Sequence, residues 1–346
     1  MNLGLLLGFW GENGPPPRLL ETVLEAESLG YTSVWTSEAS GSDGLTPLAW
    51  VGAHTVTTRL GTCILHMAAR APAATAMAAL SLDHLSGGRF VLGLGVSGPE
   101  LVEGWYGQPF DPPLARTREY VEIVRRVLAR EEPLEYRGQH YVLPFPGGSG
   151  LGRPFRSMVR PLRPDLPILL AAEGPRNVAL AREIADGWIA TYYSPHHDAH
   201  HRAALAEGAA RPGARSDDGS FEVVATVPVI LDDDVEAAAD QLRGLFARFI
   251  GGMGPVGRNF HYNAWARMGF EEVATRVRDL WVVGRTADAA AAIPTAVIEQ
   301  LALVGPPAKI REELPAWRAS LLTTLLVHLP PDPTALRQVA EIVLGS

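Results

Sequence analysis

A single cysteine, Cys63, serves a chain of 346 residues. No internal disulfide can form, which agrees with a reducing compartment and excludes the small disulfide-stapled folds. Long apolar runs are also missing. No stretch reaches the ~18 residues of a membrane-crossing helix, and the opening MNLGLLLGFWGENG has no basic segment ahead of its apolar one. The expectation is a cytoplasmic protein with no membrane partner. Positive charge is scarce too: 30 Lys and Arg against 38 Asp and Glu give a net charge of -8. Such a chain lacks the basic face by which nucleic-acid binders neutralise phosphates, so no nucleic-acid partner is expected.

What the chain does hold is apolar material in alternating patterns. Apolar residues make up 47% and charged ones 20%, enough to fill a large core. Residues 1–9 read as a strand, and 18–29 as a helix with Leu19, Val23, Ala26 and Leu29 on one face. Gly30 stops that helix, and residues 31–36 read as the second strand. The alternation continues with strand 59–65, helix 73–85, strand 89–94, helix 116–130, strand 167–171, helix 176–185 and strand 187–191. Strands 221–231 and 321–328 follow, the latter before a closing helix. This α/β order, with eight strands, favours a (β/α)8 TIM barrel in one domain, 1–346, over an open sheet.

Two segments exceed the repeat. Residues 96–166, after the fourth strand, contain a helix, a hairpin turning near Gly138 and the Pro/Gly-rich PFPGGSGLGRPF. Residues 249–285 open with FIGGMGPVGRNFHYNAWARMGF, which mixes glycines with aromatics. Long insertions in compact domains are commonly binding loops or lids.

Gly93, Gly95 and Gly98 come at or just after the apolar run of the fourth strand. Glycines there let backbone amides approach a ligand at the barrel mouth, and Ser97 with Gly98 makes an anion cradle. A second junction, AAEGPRN, puts Glu173, Gly174, Pro175, Arg176 and Asn177 at the start of the next helix, whose free N–H groups suit a phosphate. Two such junctions at one mouth suggest a phosphorylated cofactor.

The stretches LGFWGENG, VWTSEASGSDGLTPLAW, RLGTCILHMAARAP, LDHLSGGRFVLGLGVSGPELVEGWYGQPF, AAEGPRNVALAREIADGW and LALVGPPAKIREELPAWRASLLTTLLV together carry a resemblance. The chain resembles the bacterial-luciferase-like superfamily, and more narrowly its coenzyme F420-dependent oxidoreductase branch, which includes methylenetetrahydromethanopterin reductase. That likeness implies a luciferase-like barrel with insertions and a deazaflavin at its mouth. The coenzyme phosphate would lie near Ser97, Gly98 and the Gly174 to Asn177 junction. A non-prolyl cis peptide would fall near Cys63 and Ile64, behind the ring. Arg153, with Arg156, Arg160 and Arg163, would hold the anionic coenzyme tail through charge-assisted hydrogen bonds. A homodimer built on early helices, including AATAMAALSLDHL, is also implied.

The alcohol-oxidising members of the branch carry a His after the acidic residue that follows the second strand, and a Glu after the glycine that follows the fourth. This chain has Ala39 and Pro99 there. Without that pair, proton abstraction from an alcohol lacks its agent. The expected activity is therefore a reductase, passing hydride from reduced deazaflavin to a C=C or C=N bond of a small molecule. Glu38, Asp43 and His66 are the candidate proton donors or substrate contacts. An FMN-dependent monooxygenase and a non-catalytic cofactor-binding paralogue are the alternatives. The HHDAHH run, residues 196–201, reads as a polar helix start, with no metal expected.

Overall fold

Eight short apolar segments pair side by side and close on themselves. In the computed structural model, which describes residues 1–110, 113–216, 219–329 and 333–345, they are β1 (Asn2–Gly8), β2 (Ser33–Thr36), β3 (Arg59–Thr62), β4 (Phe90–Gly95), β5 (Ile168–Ala171), β6 (Gly187–Ala190), β7 (Glu222–Leu231) and β8 (Thr324–His328). Each pairs in parallel with the next, and β8 returns to β1. Helices follow the strands, so the chain forms a (β/α)8 barrel as its pattern predicts.

Alternation along each strand divides the core. In β4, Val91 turns inward to meet Trp35, Leu169, Ile189, Val224 and Leu326. Its neighbours Phe90 and Leu92 join the layer between strands and helices. Each such buried side chain contributes about 2 kcal/mol. The end of the barrel where the strands begin is bridged by Arg59 of β3 and Glu222 of β7, bonded through both guanidinium nitrogens at 2.9 and 2.7 Å. The opposite end stays open for the loops.

One irregularity shapes that open end. Gly61 pairs with Val91, but pairing resumes only at Leu65 with Leu94, so residues 62–64 oppose residues 92–93. The expected strand 59–65 is thus interrupted by a bulge. Thr62 bridges the gap: its hydroxyl accepts from the Gly93 amide at 2.9 Å and donates to the Gly93 carbonyl at 2.8 Å. Such closeness requires glycine, because a Cβ at Gly93 would sit 1.8 Å from the Thr62 carbonyl oxygen. A Cβ at Gly95 would likewise meet Ile64 at 2.7 Å. These two glycines serve strand packing, a correction to their reading as open backbone for a ligand.

The first long connection holds the helices Pro99–Gly104 and Pro113–Ala129 and a hairpin pairing Tyr136–Arg137 with Val142–Leu143. After β7 comes a helical layer, Val235–Gly252, Phe260–Arg267, Glu271–Val282, Thr286–Ala291 and Thr295–Leu301, around its own core at Trp265. This layer extends beyond the 249–285 segment on both sides, because its first helix, capped by Asp234 on the Glu236 amide, has the pattern of an ordinary barrel helix. No helix among the described residues is long and apolar enough to cross a membrane.

Gly93→Ala should destabilise the protein by about 3 kcal/mol through forced separation of β3 and β4, read as a fall in the urea midpoint. Gly98→Ala is the control, since a Cβ there meets nothing within 4 Å; equal midpoints for the two variants would refute the packing account.

Candidate active site

The floor of the mouth is made by the bulge. Cys63 and Ile64, joined by a cis peptide bond, lie half-buried on the barrel-interior cluster beside Leu6 and Ala171. Burial pushes the Cys63 thiol up to about 12, so it stays protonated and is no nucleophile near neutral pH.

Glu38, two residues past β2, clamps this floor. Its amide donates to the Ile64 carbonyl at 3.2 Å, and its carboxylate accepts from the His66 amide at 3.0 Å. Arg70 grips both carboxylate oxygens at 2.7 and 2.6 Å, and Tyr120 donates to the Arg70 carbonyl at 3.2 Å. Engaged on both oxygens, Glu38 is placed to hold the bulge rather than to pass a proton to substrate.

Asp43 caps the helix Thr46–Gly52, accepting from the Leu45 and Thr46 amides at 2.9 and 2.8 Å. Burial works to raise its pKa, but those bonds and the Arg70 charge outweigh it and hold the carboxyl below its ordinary range. That leaves His66. Burial takes its imidazole down to about 4, against the upward pull of Glu38, so the ring is neutral near pH 7. Its Nδ1 is buried without a partner among the described residues, and its ring stands edge-on to Tyr106 at 5.8 Å. Of the three candidates, His66 alone keeps a buried polar atom without a partner among the described residues.

The two glycine junctions lie on neighbouring strands, β4 and β5. Ser97 is in the left-handed region at φ 61°, and Gly98 and Gly174 each have open space where a Cβ would stand. The helix Pro175–Ile184 begins with a residue that has no N–H to satisfy, and the Asn177 and Val178 amides fold back on the Gly174 carbonyl at 2.9 and 3.0 Å. Arg176 is exposed at its first turn. Glu173 contacts the second insertion: His261 Nδ1 lies 2.8 Å from its carboxylate, and Arg267 donates to its carbonyl at 3.0 Å.

Arg153 is not brought to the mouth. Its guanidinium sits 5.3 Å over Phe155, whose carbonyl accepts from Leu134, just past the helix Pro113–Ala129. Farther along, Arg163 binds Asp83 and the carbonyl of Phe90, where β4 begins. The arginine-rich segment therefore lies at the end opposite the mouth, and its expected grip on a coenzyme tail is corrected accordingly. The histidine run splits between the turn Pro195–His197 and the helix Asp198–Ala209, with His201 between Trp188 and Tyr193 at 4.9 and 5.7 Å. Among the described residues no group of three side chains is arranged to hold a metal.

Sequence reasoning missed Arg70, Tyr106, His261 and Arg267. Arg70 carries a signal, falling four residues after His66 in the same stretch. The others come from the insertions, which meet where Phe110 packs on Phe260 at 6.3 Å.

Because the unfolded chain takes up a proton at His66 before the folded one does, the stability contributed by this ring should fall as pH drops from 6.5 to about 4 and then level. The share from His66 is about 3 kcal/mol. His66→Gln should flatten the urea-midpoint profile by that amount, leaving the smaller slope from His201, which burial also lowers to about 4; an unchanged profile would show that His66 is not a buried neutral group.

Comparison with known proteins supplies the lineage. A sequence profile described as luciferase-like monooxygenase matches residues 6–324. A Mycobacterium tuberculosis protein named as a coenzyme F420-dependent oxidoreductase is 49% identical over 329 residues, covering 94% of each chain. The coenzyme F420-dependent tetrahydromethanopterin reductase of Methanopyrus kandleri superposes with a TM-score of 0.80 at 22% identity, over 99% of this chain and 98% of that one. An F420-dependent secondary alcohol dehydrogenase, solved with an F420-acetone adduct, gives 0.78 at 16% identity, over 99% and 98%. The barrel with its bulged third strand and the near full-length matches lead to one conclusion: the chain belongs to the luciferase-like monooxygenase family.

Proposed function

We propose that the protein is a coenzyme F420-dependent oxidoreductase acting as a reductase on a C=C or C=N bond of a small organic molecule. One observation carries the reading: a bulged floor at Cys63 and Ile64 lies beside two open glycine junctions on adjacent strands. The residues fit the coenzyme, because a Cβ at Gly98 or Gly174 would fill the space that a phosphate needs. The F420 named for the relative at 49% identity supports the same choice.

Cys63 and Ile64 would back the deazaflavin ring, while Ser97, Gly98, Gly174, Arg176 and Asn177 would take its phosphate. Bound there, the coenzyme supplies the hydride chemistry. The protein's part is to orient the ring and exclude water. His66, neutral, would hydrogen-bond substrate, with Tyr106 beside it. Glu38 and Asp43 are both committed to structure, so no free carboxylate among these candidates could act as base on an alcohol. That favours reduction.

A second copy would pack on the helices Thr46–Gly52 and Pro72–Leu85. Trp50, Met77 and Leu85 stand exposed there at 47%, 62% and 74%, apolar side chains that a partner copy would cover.

Parallel calorimetric titrations with oxidised F420 and with FMN test the cofactor. Micromolar F420 binding with FMN much weaker is expected, and Gly98→Val should weaken F420 by about tenfold without loss of stability. Preference for FMN would make the protein a monooxygenase, and binding of neither a non-catalytic paralogue. Sedimentation tests the dimer: native protein should run as two copies and Met77→Glu as one, whereas a native monomer would end that proposal.

A further inference from the structure

Glu173 stands immediately before Gly174, so a carboxylate borders the open backbone of the second junction. A bare negative charge there would repel an anionic ligand a few ångströms away. The second insertion compensates it. His261 Nδ1 lies 2.8 Å from the Glu173 carboxylate, and the Arg267 guanidinium reaches the Glu173 carbonyl.

Arg267 is a permanent cation beside the pair, whereas the rings packed on His261 carry no charge. Tyr192, just past β6, faces the imidazole edge-on at 5.4 Å, and Phe249 of the helix Val235–Gly252 does so at 5.0 Å. Burial, with the Glu173 charge, raises the Tyr192 pKa well above its ordinary value, so this ring is neutral. His197, His200 and His201 line the adjoining cavity with Arg267, and burial lowers both His197 and His201.

We propose that His261 sets the anion affinity of the junction after β5. As imidazolium it adds to the Arg267 charge in neutralising Glu173, and the junction accepts a phosphate ester; without its proton the Arg267 charge alone offsets Glu173, and the ester is held less tightly. The inference rests on the reading of Gly98 and Gly174 as the coenzyme's phosphate site. His261 acts through Glu173 and is a positioning residue. Burial disfavours its charge, but the Glu173 carboxylate more than offsets that and lifts it above the ordinary histidine range. The loss of affinity therefore comes on the alkaline side of that range.

The test is calorimetric titration with coenzyme F420 and with a deazaflavin ribityl alcohol lacking the phosphate, from about pH 6 to about pH 9. Both ligands share the ring, so its own ionisation cancels in the ratio of their affinities. In native protein the preference for F420 should fall about tenfold as pH rises. Glu173→Gln should keep the high preference at every pH, His261→Gln the low one, and the double variant should regain the high one. Should His261→Gln fail to fold, the native and Glu173→Gln profiles suffice. A native preference that does not change with pH, or one that still changes in Glu173→Gln, overturns the proposal even where F420 binds tightly. F420 that binds at no pH overturns the cofactor reading instead.

Discussion

Where β3 leaves its ladder with β4, the Thr62 hydroxyl takes the place of a backbone rung on both sides of Gly93. Three residues then leave the ladder, and Glu38 holds them through the Ile64 carbonyl, the His66 amide and the Arg70 guanidinium. The floor at Cys63 and Ile64, the place of His66 and the meeting with Tyr106 all depend on this clamp. A carboxylate so deeply placed is tolerable because a bidentate cation and an amide satisfy it together; removing either partner of such a pair typically costs about 3 to 5 kcal/mol.

The clamp also sets the chemical character of the mouth. Glu38 pairs with Arg70, Glu173 with His261, and Asp43 with two amides, while His66 is neutral and Cys63 protonated. Each acidic group in that set already faces a protein partner. What is left unpartnered is open backbone at Gly98 and Gly174, the buried nitrogen of His66 and one carboxylate oxygen of Glu173. Such a set of groups is suited to binding and orienting. It suits chemistry carried by a cofactor better than chemistry begun by a side-chain base.

The two ends of the barrel divide the charged residues by task. At the end where strands begin, Arg59 spans to Glu222, and Arg163 to Asp83 and Phe90, tying strands and a long connection together. At the other end, Arg70 and His261 reach the Glu38 and Glu173 carboxylates, and Arg267 the Glu173 carbonyl, each from an element other than its partner's. An arginine's position in the chain does not say which end it serves, and so the run from Arg153 to Arg163 reads as a coenzyme grip although it lies at the far end.

The sequence by itself determined the elements and their order. Period-two and period-3.6 apolar patterns mark all eight strands and most of the helices between them, because burial of one face is a local demand on local residues. It also determined the glycine junctions at Gly98 and Gly174, and the quoted motifs located the cis peptide at Cys63 and Ile64. Only the tertiary structure decided what each polar side chain does. Glu38 became a clamp because Arg70 folds back onto it, and Gly93 serves packing because Thr62 crosses to it. His261 entered the site from an insertion far along the chain. A charged group's role is set by its partner in space, and that pairing exists only once the barrel has closed.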